Sequence, residues 1–306
     1  MPMDKSSFRR GVFFAILAYV LWGSLPIYWR SLSAVNPLHL FCFRILFSML
    51  LVGTILLAKK NISWLVLFKD RRKALLMVLE SFAICFNLGL FVWAINTGNI
   101  IQTSLGNYIA PLISVVLGLC FFKEKLCRLQ WLAFAFALAG VLILTVFTGA
   151  PPWISLGLAF SFALYGLLKK NVSLSAMESL GAEVLIATPV CLLLLFIPFG
   201  AGQGGTFPSV QGLFYLADLP LVTLFLLLLC GVVTILPMYF FSKGAKMLPL
   251  STLGFIKYIN PTLTFITGVF IFREPFPLRN LIPFGFIWAA VVLYIISLRL
   301  AAREKG

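Results

Sequence analysis

Ten apolar runs constrain this chain more than any other feature. They fall at about 11–29, 38–58, 74–95, 100–122, 129–148, 153–168, 181–198, 221–241, 250–272 and 280–298. A bilayer core about 30 Å thick takes about 20 apolar residues per helix. The runs are separated by breakers such as Asn36-Pro37, Asn96-Thr97-Gly98, Gly149-Ala150-Pro151-Pro152 and the glycine-rich stretch Gly200 to Pro208. Only 11% of the residues are charged, too few to cover a soluble domain. The reading is an all-α integral membrane protein with ten transmembrane helices. Lys5, Arg9 and Arg10 followed by an apolar run resemble a signal peptide. That run carries Trp22, Pro26 and Trp29 and is read as a retained first helix.

A net charge of +15 raises the question of a nucleic-acid partner, and its placement answers against one. With the N-terminus inside, 19 of the 24 Lys and Arg residues fall on the inner side, among them Lys59, Lys60, Arg71, Arg72, Lys73, Lys123, Lys169, Lys170 and Lys246. Arg30, Arg273 and Arg279 fall outside, and Arg44 and Lys257 lie within spans. Cytoplasmic loops retain Lys and Arg, so both termini are expected on the cytoplasmic side of the membrane. An odd number of spans would scramble the pattern. The six cysteines form no Cys-x-x-Cys pair, so neither a disulfide framework nor a metal site is expected.

A shift of 150 residues lays Tyr108-Ile109-Ala110-Pro111 on Tyr258-Ile259-Asn260-Pro261, Gly118 on Gly268, and Phe122-Lys123-Glu124 on Phe272-Arg273-Glu274. Phe134, Phe136, Ala139 and Val141 then fall on Phe284, Phe286, Ala289 and Val291 without a gap. A weaker match places Trp22-Gly23 on Tyr165-Gly166. The chain is therefore expected to hold two five-helix repeats, 1–149 and 150–306. Five is odd, so the second copy enters the membrane upside down. Inverted repeats support alternating access around a site near the midplane. That architecture favours a small-solute transporter over a passive channel, a membrane receptor or an intramembrane enzyme. A channel would show a filter loop or charged ring, and an enzyme needs a nucleophile, base or metal cluster.

The residues also resemble a known family over essentially the whole chain. Leu21-Trp22-Gly23, Arg44, Val92-Trp93-Ala94, Ser104 to Leu112, Phe122-Lys123-Glu124, Pro237-Met238 and Gly254 to Thr262 resemble the EamA-type permeases of the drug/metabolite transporter superfamily, RarD subgroup. The resemblance implies ten helices, an inner-membrane location and export or exchange of small organic solutes. The family's His-Arg pair in helix two reads Phe43-Arg44 here, with His39 five residues before Arg44.

Four ionisable groups inside the runs stand out: Arg44, Glu80, Glu183 and Lys257. Such groups cost several kcal/mol, roughly, unless solvated or paired. Lys257 is a candidate for an anionic group on the substrate, or a tether to Glu80 at similar depth. Arg44 either binds a carboxylate bidentately or snorkels outward. Glu80 is a proton carrier or an ion-pair partner, and Glu183 reads as interfacial. The repeat places Asn107 opposite Lys257 and Gln102 opposite Thr252, so Asn107, Tyr108, Lys257, Tyr258 and Asn260 are expected around a shared cavity. Trp22 and Trp93 are expected to wall it, whereas Trp29, Trp64 and Trp153 read as aromatic-belt residues. Pro111 and Pro261 are candidate gating kinks. A basic, aromatic-lined cavity favours amino-acid-like, organic-anion or drug-like solutes. No bound cofactor is implied, and either a monomer or a homodimer suffices.

Overall fold

The computed structural model describes residues 5–60, 70–97, 99–149, 152–196, 213–273 and 281–303. The Gly200 to Pro208 stretch, Trp64, Glu274 and Arg279 lie outside the described residues. Among the described residues, eleven α-helices run in the order α1 (Lys5–Arg30), α2 (Pro37–Ala58), α3 (Arg71–Asn96), α4 (Ile100–Phe122), α5 (Arg128–Thr148), α6 (Trp153–Asn171), α7 (Ala176–Phe196), α8 (Leu221–Met247), α9 (Leu250–Lys257), α10 (Ile259–Ile266) and α11 (Leu281–Arg303). A 3-10 turn at Leu213–Asp218 precedes α8, and a π-helical turn at Thr267–Ile271 extends α10.

Eight of these helices are long and apolar enough to cross a membrane. The sequence reading expected ten. The two runs that fall short are α6, which ends on Lys169-Lys170-Asn171, and the run at 250–272, which breaks at Tyr258 into α9 and α10. Phe82, Phe121, Leu221 and Phe270 are among the many large apolar side chains left exposed on the helices. In water they would form an aggregation surface, and in a bilayer they meet lipid tails. This is a multi-pass membrane protein.

The helix ends follow local chemistry. Asn36 caps α2, accepting the Leu38 N–H at 2.9 Å, with Pro37 in the first turn. Lys123 and Arg273, 150 positions apart, both adopt left-handed backbone conformations at helix ends, with φ of 51° and 55°. After the first of these, the Glu124 N–H returns to the Gly118 carbonyl at 3.2 Å. Glu124 then reaches the start of α9, where its carboxylate accepts the N–H groups of Leu250 at 2.6 Å and Ser251 at 2.9 Å. Lys170 steadies that carboxylate from α6 at 3.4 Å.

Helices pack in a paired order: α1 along α8 and α6 along α3, α4 on α6, α2 on α7, α4 on α9, and α5 on α11. One core gathers residues of α1, α6, α7 and α8, and another gathers α4, α5, α9 and α11. Close backbone approach holds the pair α4 and α9 together. A Cβ at Gly254 would stand 2.7 Å from the Pro111 carbonyl oxygen, so only glycine fits.

Candidate functional site

Lys257 is the last residue of α9. Pro261 has no N–H to give its carbonyl, and the helix breaks at Tyr258 before resuming as α10. Pro111 stands in the same relation to the Asn107 carbonyl, yet α4 runs on through it to Phe122. The matched prolines therefore produce a break in one helix and none in the other. An interrupted helix inside a membrane is tolerated where protein buries it or water reaches it.

The Lys257 side chain points into a cluster of aromatic rings. Its Nζ lies 3.2 Å from the centre of the Phe162 ring, and the residue is 3% exposed. Phe162 meets Trp22 edge to face at 5.9 Å, and Phe241 at 5.7 Å. Trp22 also meets Tyr19 and Phe241, and Tyr165 stacks on Phe241 at 5.6 Å. Helices α1, α6 and α8 thus build a connected aromatic cluster, and its Phe162 ring receives the cation from α9. The ring face attracts the ammonium, and a desolvated contact of this kind is worth about 2 kcal/mol. Among the described residues, no carboxylate lies within ion-pair distance of Lys257.

The tether expected between Lys257 and Glu80 is not formed. Glu80 Oε1 lies 2.7 Å from Nζ of Lys169, on α6. The same ammonium contacts Glu183 Oε1 and donates to Ser179 Oγ at 2.9 Å. Ser179 in turn donates to Glu80 at 3.0 Å, and the Tyr165 hydroxyl donates to Glu183 Oε2 at 3.1 Å. Glu183 was expected at the interface, but it is 3% exposed because α7 begins at Ala176 and carries it into the core. Lys169 was expected among the loop cations, but α6 continues to Asn171 and buries it fully.

Arg44 is half-buried on α2. Its Nε donates to Thr234 Oγ1 at 3.1 Å, and its guanidinium lies 4.4 Å over the Trp29 ring. Trp29 thereby holds a cation as well as sitting at a helix end. Tyr108 and Tyr258 join the core of α4, α5, α9 and α11, away from the aromatic cluster at Lys257. Tyr108 donates to the Pro261 carbonyl at 3.4 Å, and the buried Tyr258 hydroxyl has no hydrogen-bond partner among the described residues. Asn107 and Asn260 are half-buried, and Asn260 accepts from Thr264 at 3.5 Å. Gln102 is buried and donates to Asn99 at 3.4 Å. Trp93 packs on Trp153 at 5.6 Å. Trp22 therefore joins Lys257 through the Phe162 ring, whereas the contacts of Arg44, Trp93 and Gln102 lie elsewhere.

Phe162, Tyr165 and Phe241 were missed as site residues. The match of Tyr165-Gly166 with Trp22-Gly23 was the available signal, since it places an aromatic at the same point of each half. Lys169 was missed because its neighbour Lys170 made the pair look like an interfacial charge cluster.

The profile of the EamA-like transporter family matches this chain twice, over residues 9–146 and 152–296. The chain belongs to the EamA-like transporter family. A Bacillus subtilis protein named uncharacterized transporter YojE is 38% identical over 96% of both chains. Proteins named RarD are 36% identical in Streptomyces exfoliatus, over 97% of this chain and 92% of the relative, and 32% identical in Escherichia coli, over 96% and 97%. A crystal structure superposes with a TM-score of 0.69 at 17% identity, covering 94% of this chain and 98% of the other. At that identity the likeness speaks to the fold alone. This EamA-type, RarD-like chain is a membrane transporter of a family with bacterial members, and its setting is a lipid bilayer.

Proposed function

We propose that this transporter is an inner-membrane permease for small organic solutes that carry an anionic group and a flat or apolar body. In this reading the chain spans the membrane ten times as two inverted five-helix repeats, both termini are cytoplasmic, and alternating access drives export. The single observation that carries the substrate class is Lys257. It is a buried cation with an aromatic face beneath it and no carboxylate beside it among the described residues. An ionisable group placed so deep in a membrane protein marks a solute pathway more often than a fold-holding contact. A carboxylate on the solute would neutralise the ammonium, and its apolar part would replace ring–ring contacts of Trp22, Phe162 and Phe241. Amino acids, organic anions and drug-like metabolites all fit this description.

Several features support the two-repeat reading. The family profile matches twice, the helix ends at Lys123 and Arg273 share a left-handed conformation, and the packing of α1 on α8 is mirrored by that of α6 on α3. The break at Tyr258, with Pro261 beyond it, supplies a hinge in one half that α4 lacks.

A thermal-shift screen of the purified protein against amino acids, organic anions and chloramphenicol-like compounds tests the substrate class. A ligand at about 100 times its Kd stabilises the folded state by about 2.7 kcal/mol. Hits confined to molecules with an anionic group support the reading. Hits confined to cations or neutral compounds contradict it.

A further inference from the structure

We propose that Glu80, Lys169 and Glu183 form a proton-binding site that takes up and releases one proton through the face of the protein richest in Lys and Arg. The site shares Tyr165 with the aromatic cluster but is separate from it: Tyr165 packs on Phe162 and Phe241 on one side and donates to Glu183 on the other.

The first argument is charge. Two carboxylates from α3 and α7 lean on a single ammonium from α6, and their side chains are 0–4% exposed. With all three ionised the cluster holds one uncompensated negative charge, which a low-dielectric interior penalises. One proton on either carboxyl removes it. Both carboxylates bind the same Lys169 ammonium, Glu80 at 2.7 Å and Glu183 beside it, so they share one counter-charge. The other polar contacts leave room for that proton. Ser179 and Lys169 donate to Glu80, Tyr165 and Lys169 donate to Glu183, and none of these donors cancels the extra charge.

The second argument is access. A cavity of about 480 Å³ is lined by Asp70, Arg72, Lys73, Leu76 and Met77 of the α3 start and by residues 171–174. Met77 lies one helical turn before Glu80, and Asn171 follows Lys169 by two positions. The cavity wall therefore comes within one turn of Glu80 along α3, on the basic face. Arg72 and Lys73 at its mouth, and the ammonium already seated between the carboxylates, disfavour a metal cation. A proton needs only a water chain. Asp70 sits at the same mouth. The Lys73 backbone N–H holds its carboxyl below the usual carboxylate range, so it stays an anion there.

Among the described residues, the other charged and titratable groups near the cluster are Cys85 on α3, Tyr165 on α6 and Lys246 on α8, with Glu178 of α7 facing Lys246. Lys246 lies near both carboxylates but donates to the Leu174 carbonyl and forms no ion pair with either. The exchangeable proton is accordingly assigned to the Glu80–Glu183 pair.

Infrared pH-difference spectra of the purified full-length protein in nanodiscs test this without any transported solute. Acidification from about pH 9 to about pH 5 should reveal one protonated-carboxyl C=O band from a buried glutamic acid. Glu80→Gln and Glu183→Gln should each abolish it, because either leaves a neutral Lys–Glu pair with nothing to titrate. If those variants fold poorly, the wild-type protein labelled with carbon-13 glutamate assigns the band by its isotope shift. A wild-type spectrum with no such band overturns the proton site, as does a band that survives both substitutions or fails to shift with the label. The permease reading would be untouched by either failure, since no solute enters the measurement.

Discussion

Lys169 and Glu80 meet at 2.7 Å in the interior of the protein, on helices α6 and α3. Their contact takes Glu80 away from Lys257. Glu80 was the one acidic residue at a depth to neutralise Lys257, and α6 supplies it with a different cation. Lys257 is left against Phe162, with its charge available to something that enters from outside the chain.

Removing the cation of the buried cluster should be far more damaging than removing the cluster. Lys169→Met leaves two carboxylates buried with no counter-charge, a loss of about 3–5 kcal/mol when a buried pair is broken from one side. The triple variant with Glu80→Gln and Glu183→Gln restores neutrality. Thermal unfolding in detergent should show a large drop in Tm for the single variant and recovery of most of it in the triple. Equal drops in both would mean the cluster matters for packing and not for charge.

Glu124 links the end of α4 to the start of α9 by accepting two backbone N–H groups there. Glu124→Ala should lower stability by about 1–2 kcal/mol, the range for losing a helix cap. Glu124→Gln keeps an acceptor oxygen and should lose less. The two melting temperatures, measured side by side, check the order.

Gly254 tests the tight contact of α4 with α9. Its missing Cβ would fall 2.7 Å from the Pro111 carbonyl oxygen, which is backbone and cannot swing away. Gly254→Ala should destabilise the protein by about 1–3 kcal/mol through overpacking. A variant as stable as the parent would show that the two helices separate freely at this point.

Cys127, exposed at the start of α5, reports orientation. In a chain whose other cysteines are replaced by serine, a membrane-impermeant maleimide should label Cys127 in inside-out vesicles and leave it unlabelled in intact spheroplasts. Labelling in the spheroplasts would reverse the assignment of cytoplasmic termini.

Much of this was legible in the sequence because a membrane chain has few ways to hide its pattern. Long apolar runs, breakers between them and basic residues at alternate ends gave the helices and the loops. Lys257 stood out because a cation seven residues into an apolar run has no cheap explanation. What was not legible was partnership. Glu80, Lys169 and Glu183 are far apart in the chain, and nothing local distinguishes Lys169 from its exposed-looking neighbour Lys170. The length of α6 decides it. One more helical turn than the apolar run suggests draws Lys169 into the core. Tyr258 and Tyr108 were grouped with Lys257 because they adjoin it or its repeat partner in sequence. Adjacent residues on a helix point about 100° apart, which sends them to the other core. The break at Tyr258 was equally hidden, since Pro111 in the same position leaves α4 whole.

The central claim is that Lys257 binds the anionic group of a transported solute. Its most direct test is uptake of radiolabelled amino acids and organic anions into proteoliposomes containing either the parent protein or Lys257→Ala, with insertion and Tm verified for both. The account predicts uptake of an anionic solute by the parent and its loss in the variant, with the variant still folded. Uptake of the same solute at the same rate by a folded Lys257→Ala protein would contradict it.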